Sequence, residues 1–316
     1  MPLVDSILRK VARARIADRR VDFTRLPAFR AEHFPDSGPR PWLDNNEPDN
    51  DAWSKRVDSL PCESAALCRN WVKDGYVVLR GLIPGSLLDE TWNAYEHAVQ
   101  TKAIHLEADR AGEGDVLPGR YLNPHKRVRQ FCRVAKYPEL MRSLRLLLGH
   151  RARLLQTIAS HKGSQQLAHS DSIHMTTYPL GYLAAAWVAF EDIGPDCGPL
   201  EFYPGSHRLP YVFSHHLGLA AGDLSSEGYK KYKAQYEPYV QELIAARGLR
   251  PSYFEARKGD VLIWHANLLH GGSRRRDLSL SRKAMVAHYF ADGAFVYHDL
   301  SAVASRQQYF DGCLVR

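Results

Sequence analysis

The segment "QQLAHSDSIHM", residues 165–175, sets His169 and Asp171 two positions apart. In an extended chain that spacing puts an imidazole and a carboxylate on one side, where both can face one metal ion. The triplet alone is a weak signal, because the chain carries 15 His and H-x-D arises easily by chance. A metal centre also needs a third ligand, open coordination positions and a clamp for a co-substrate. "GDVLIWHANLLHGGSRRR" offers two candidates for the third ligand, His265 and His270. His270 ends a β-rich segment against Gly271 and Gly272, where small neighbours leave room for a bidentate co-substrate at a barrel mouth. His265 lies inside the strand beside Trp264 and reads as a packed residue or an outer partner of a ligand. Two histidines and a carboxylate on one face of an octahedron suit Fe(II) and leave three positions for co-substrate and O2. Arg282 stands 12 residues beyond His270. If buried, its planar fork matches the distal carboxylate of a bound dicarboxylate; a surface salt bridge is the plain alternative. Arg274, Arg275 and Arg276 follow the Gly-Gly turn and read as solvent-facing. His207, in "YPGSH", follows a turn and reads as a structural cap.

These side chains need a scaffold that brings distant strands together. From about residue 152 the chain breaks into short β-rich segments: "RLLQTIAS", "IHMTTYP", "LAAAWVAFEDI", "PLEFYPGSH", "GDVLIWHANLLHGG" and "RKAMVAHYF". Gly, Pro and Asp punctuate them, which predicts a barrel or jelly roll rather than βαβ units. Upstream, "AALCRNWVKDGYVVLRGLIPGSLLDETWNAYEHAVQ" reads helix, strand, helix, with turns at Asp74-Gly75 and Pro84-Gly85. One helical insertion, about residues 224–248, carries Tyr229, Tyr232, Tyr236, Val240 and Leu243 at helical spacing. It is either a lid or a packed surface helix. Residues 34–60 are rich in Pro, Asp and Asn and read as an irregular arm. Residues 1–20 place Val4, Ile7, Leu8 and Val11 on one stripe of a basic helix. That stripe fits peripheral membrane contact or docking on the domain. The expected organisation is an N-terminal basic helix and irregular arm over 1–60, then a single domain over 61–316.

Composition narrows the class. In 316 residues, 45% are hydrophobic and 24% charged, enough for a globular core. There is no apolar run of the roughly 20 residues a membrane span requires, and no secretory h-region, so a cytoplasmic location is expected. The five cysteines, at 62, 68, 132, 197 and 313, are scattered without a C-x-x-C pair. They suggest neither a disulfide framework nor a cysteine zinc site, and so a reducing compartment. The net charge of +7 favours an anionic small molecule, an acidic carrier or an anionic membrane surface. No helix-turn-helix, zinc-finger or RNP-type pattern accompanies it, so nucleic acid is not favoured.

Taken in order, "HSD", "AAAWVAFEDI", "CGPLEFYPGSH", "GDVLIWHANLLHGG" and "RKAMVAHYF", with "DGYVVLRGLIP" upstream, resemble the phytanoyl-CoA dioxygenase family of Fe(II)/2-oxoglutarate-dependent oxygenases. The resemblance spans about residues 70–290. It implies an α+β fold with a double-stranded β-helix (jelly-roll, cupin-like) core, flanked by N-terminal helices and one helical insertion. It implies iron held by His169, Asp171 and His270, and Arg282 gripping the C5 carboxylate of 2-oxoglutarate. Trp187 would line the co-substrate pocket and Gln156 would face it. Asn123, His125 and Lys126 are weaker candidates for the pocket. Family members often carry Ser two residues after the distal histidine; here Gly272 holds that position and Ser273 follows.

The implied reaction consumes O2 and 2-oxoglutarate, releases succinate and CO2, and hydroxylates an aliphatic C–H. Related halogenases replace the carboxylate ligand with a small residue; Asp171 keeps it, which favours hydroxylation, or a related desaturation or ring closure, over halogenation. The expected substrate is a small molecule, lipid or carrier-linked compound, anionic in view of the basic patches. A non-oxidative cupin-like binding module would keep the three ligands but have no use for Arg282. A zinc hydrolase would need a general base that the sequence does not identify. A Ser-His-Asp hydrolase lacks its G-x-S-x-G elbow.

Overall fold

The computed structural model of the chain describes residues 16, 21–35, 38–44, 51–106, 119–219, 226–306 and 313. The basic helix expected within residues 1–20 lies outside the described residues, apart from Ile16. Six helices are described: α1 (Asp51–Asp58), α2 (Cys62–Asp74), α3 (Gly85–Gln100), α4 (Gln130–Ala135), α5 (Pro138–Leu148) and α6 (Ser226–Ala246). The strands are β1 (Tyr76–Leu79), β2 (Arg120–Leu122), β3 (Ala152–Ser160), β4 (Thr176–Tyr178), β5 (Leu183–Ala189), β6 (Leu200–Phe202), β7 (Ser252–Phe254), β8 (Val261–His265), β9 (His270–Gly272), β10 (Ala284–Ala291), β11 (Phe295–His298) and β12 (Val303–Ala304). A six-stranded antiparallel sheet runs β1-β8-β5-β10-β3-β2, and three-stranded sheets run β7-β6-β9 and β12-β11-β4. The β-rich segments expected from the sequence are thus present, in a jelly-roll arrangement.

Side-chain alternation explains why the large sheet holds together. On β5, "LAAAWVA" is buried throughout, because both faces of this strand are covered. One face, with Ala184, Ala186, Val188, Ile263, Met285 and Tyr289, joins Trp71, Leu88, Trp92 and Leu144 from α2, α3 and α5. The other face, with Trp187, Leu262, Trp264 and Ala284, meets Leu200, Phe202 and Phe254 of the β7-β6-β9 sheet. Each large apolar side chain removed from water in this way stabilises the fold by roughly 1.5–3 kcal/mol.

One irregularity matters for the site. On β3, His288 pairs with Gln156 but Tyr289 pairs with Leu154, so Leu155 is an extra residue. The bulge shifts the alternation: Leu154 joins the helix-covered face, whereas Leu155 and Gln156 both turn inward.

Two expectations need correction. The arm over 34–60 is not irregular throughout, since α1 occupies Asp51–Asp58. Phe23, Phe29 and Phe34 pack on Tyr178, Phe295 and Tyr297, so the segment before it covers the β12-β11-β4 sheet. The cysteines do include a disulfide, Cys132–Cys313, across a separation of 181 residues that no sequence pattern signals. Among the described residues, no helix is long and apolar enough to cross a membrane.

Candidate metal centre

His169 and His270 meet because their backbones pair. The two residues form an isolated antiparallel bridge that extends β9, with both N–H···O bonds at 2.9 Å. Residues opposed across such a pair project to the same face, and the imidazole centroids stand 4.6 Å apart. Asp171, two residues on, opens a 3₁₀ turn over Asp171–Ile173, capped by Ser170 Oγ, which accepts the Ser172 N–H at 3.1 Å. Among the described residues, His169, Asp171 and His270 are the one group whose ligand atoms converge, all within 4.8 Å of one another, and all three are buried.

The orientation of each ligand is set by a partner behind it. His169 Nδ1 faces Leu167 O and His270 Nδ1 faces Leu268 O, each at 2.9 Å. With the proton on Nδ1 donated to these carbonyls, the Nε2 lone pairs face the shared centre, as metal ligation requires. Asp171 Oδ2 accepts the Trp264 indole N–H at 2.9 Å, leaving Oδ1 towards the histidines. Burial, then the neighbouring His270, lowers the His169 pKa to about 3. Burial acts to raise the Asp171 carboxyl, but the imidazoles of His270 and His288 outweigh it and hold it well below the usual carboxylate range. The two Nε2 lone pairs and the Asp171 carboxylate make a nitrogen and oxygen donor set of the kind that suits Fe(II).

Gly271 and Gly272 serve a different purpose from the one expected. A Cβ on Gly271 would come 2.6 Å from Gln166 O, and one on Gly272 would come within 2.8 Å of Gln165 N. The space is taken by the Ser164–Ala168 backbone, which crosses here to deliver His169, and not by room for a ligand. Ser273 Oγ donates to Pro199 O at 2.8 Å and is committed to the backbone.

Arg282 is buried, at 5% exposure, so the surface salt-bridge alternative does not hold. Its Nη1 donates to Gly198 O at 2.8 Å, its guanidinium carbon lies 5.9 Å from the Trp187 ring, and its Nε has no hydrogen-bond partner among the described residues. Burial lowers its pKa to about 10, still charged at neutral pH. Trp187 faces the interior and packs on Phe254. Gln156 also faces inward, with its side-chain amide donating to His288 Nδ1 at 3.3 Å. His125 belongs to the opposite face of β3, its Nδ1 2.6 Å from the Thr157 hydroxyl, while Asn123 Oδ1 accepts the Thr157 backbone N–H at 3.4 Å. Exposed Lys126 adjoins them.

The helical insertion proves to be packed. Tyr232 and Tyr236 are fully buried, Tyr236 Oη accepts the Ser170 N–H at 2.9 Å, and Tyr232 Oη lies 3.2 Å from His174 Nε2. The Tyr229 side chain lies outside the described residues. The sequence reading missed His288, whose Nε2 is 3.4 Å from Asp171 Oδ1, and the roles of Trp264, Ser170 and Tyr236 around the ligands. His288 lies on β10 two and four residues past Val286 and Ala284, which face the Trp187 side of the sheet, and an even separation in a strand means the same face.

A jelly roll that converges two histidines and a carboxylate, and buries an arginine in the same domain, defines a class of metal-dependent proteins. Within it, the chain belongs to the phytanoyl-CoA dioxygenase family, whose model matches residues 71–284. The phytanoyl-CoA dioxygenase domain-containing protein 1 homolog of Caenorhabditis elegans is 25% identical over 127 residues, a match that spans 38% of either chain. Among solved structures, the chain resembles EctD from S. alaskensis with 2-oxoglutarate and 5-hydroxyectoine (TM-score 0.61, 18% identity, 88% of this chain and 93% of that one). It also resembles the epimerase SnoN in complex with Fe3+, alpha ketoglutarate and nogalamycin RO (TM-score 0.56, 19% identity, 75% and 86% covered). At these identities the likeness speaks for the fold.

Proposed function

We propose that the protein is a non-haem Fe(II)/2-oxoglutarate-dependent dioxygenase that hydroxylates an aliphatic C–H of a small-molecule, lipid or carrier-linked substrate. The observation that carries this reading is the converging trio His169, Asp171 and His270, with both Nε2 atoms presented, in a fold that also buries Arg282. Iron with 2-oxoglutarate supplies the oxidation, coupling O2 reduction to decarboxylation of the co-substrate to succinate and CO2. The protein's residues bind and orient. His169, Asp171 and His270 hold the metal. Arg282, with its Nε unpaired beside Trp187, receives the distal carboxylate of 2-oxoglutarate; a buried cation of this kind has little purpose in a binding module that takes no anion. Trp187 walls the co-substrate, and Gln156 faces the same interior. Retention of Asp171 favours hydroxylation over halogenation. The substrate is anionic, in keeping with the net charge of +7.

The test is anaerobic. Fe(II) followed by 2-oxoglutarate should produce a weak visible charge-transfer band that Arg282→Ala and His270→Ala both diminish. A substrate screen by succinate release would follow. Iron binding without a 2-oxoglutarate band would move the cupin-like binding module to first place.

A further inference from the structure

His288 is 3% exposed and sits against the carboxylate ligand, with its Nε2 3.4 Å from Asp171 Oδ1. Its two ring nitrogens have different surroundings. The Gln156 amide N–H donates to Nδ1 at 3.3 Å, which requires a lone pair there and puts the ring proton on Nε2. Nε2 has no hydrogen-bond partner among the described residues and lies 3.4 Å from Asp171 Oδ1. Asp171 is thus approached from two sides: Trp264 Nε1–H donates to Oδ2 at 2.9 Å, and His288 Nε2 stands 3.4 Å from Oδ1, close enough for a small ring rotation to complete a second bond. A carboxylate held through one oxygen alone can still turn about its Cβ–Cγ bond; a donor at each oxygen removes that freedom. The fold goes to some length to create this contact, since the β3 bulge at Leu155 is what turns Gln156 inward against His288.

We propose that His288 is a positioning residue for the carboxylate ligand: Gln156 selects its Nε2–H tautomer, and that N–H restrains Asp171 Oδ1 in the orientation that metal binding uses. The inference rests on the metal-centre reading above. It goes beyond that reading because it assigns His288 no contact with metal or co-substrate. Outer partners of metal ligands are typically worth about 10- to 100-fold in metal affinity.

The experiment is calorimetric titration of the metal-free full-length protein with Co(II), alongside its thermal unfolding without metal. His288→Leu should weaken Co(II) binding by about 10-fold or more while the metal-free protein unfolds at a similar temperature. His288→Gln, whose amide N–H can take the place of Nε2–H, should restore most of the affinity. Gln156→Leu, which frees the tautomer, should fall between wild type and His288→Leu. Should His288→Leu fail to fold, the Gln and Gln156→Leu variants carry the test. Affinity within about 2-fold of wild type in a folded His288→Leu, or in Gln156→Leu where only that variant folds, overturns the proposal, as does a His288→Gln that binds no better than His288→Leu. A wild-type protein that binds no Co(II) would overturn the metal-centre reading itself, a different failure.

Discussion

Two clusters of two histidines and one aspartate stand back to back across the His265–His270 segment, and only one of them is built for a metal. On one side are His169, His270 and Asp171. On the other, lining a cavity of about 800 Å³, are His207, His265 and Asp44. The residue types are the same and the histidines are buried or half-buried in both. In the first, each imidazole spends Nδ1 on a backbone carbonyl and points Nε2 at a common centre. In the second, His265 Nδ1 accepts the Asn267 N–H at 3.0 Å and its Nε2 turns to Asp44 at 3.3 Å, while His207 Nδ1 is pressed against Gly75. What makes a ligand set is the direction of the lone pairs, decided by the carbonyl or N–H behind each ring, and not the collection of residues.

The comparison can be broken most directly by exchanging the two sides. His270→Ala should abolish measurable Co(II) binding, a loss beyond about 100-fold because it removes a ligand rather than a ligand's partner, whereas His265→Gln should leave affinity within about 2-fold. Calorimetry on both variants measures this; comparable losses would mean the second cluster takes part. Next in size, Arg282→Ala should raise the KM for 2-oxoglutarate by about 10- to 100-fold, as expected when charge-assisted hydrogen bonds worth about 1.5–3 kcal/mol are lost. Succinate release against 2-oxoglutarate concentration reads this out, and Arg282→Lys should recover only part of it.

Smaller effects sharpen the contrast. Tyr236→Phe leaves the buried Ser170 N–H without its acceptor, which should cost about 1–3 kcal/mol of stability in urea unfolding. Co(II) affinity should fall with it, because Ser170 lies between two ligands. The smallest effect is a pH dependence on the far side. Burial, then His265 and Arg208, lowers the His207 pKa to about 3, below its unfolded value of about 6.5. The unfolded chain therefore binds the extra proton first, so stability is full above about pH 6.5 and is lost as pH falls towards 3. His207→Gln should flatten that slope by up to about 1.4 kcal/mol per pH unit in the metal-free protein, without changing Co(II) affinity at pH 7.

Much of this contrast was legible in the sequence, and the limits are physical. The β-rich segments were readable from alternation and turn residues, and the preference for His270 over His265 followed from position at a strand end. The reason attached to it did not survive: Gly271 and Gly272 accommodate a crossing backbone, a long-range approach that local sequence does not encode. The Gln156–His288 contact was not legible because a bulge on β3, set by tertiary pairing, turns Gln156 inward. The Cys132–Cys313 pair and the packing of α6 through Tyr236 likewise depend on contacts between distant parts of the chain.

The bridge between His169 and His270 has a kinetic consequence. The two ligands lie 101 residues apart in the chain and face each other only once the strands on either side have closed. Contacts of such separation tend to form late on the way to the native state, since their loop-closure cost precedes their reward. A metal bound there would have little to hold in the folding transition state and much to hold in the native one. Loading the site should accordingly lengthen the lifetime of the folded protein while leaving its folding rate nearly unchanged.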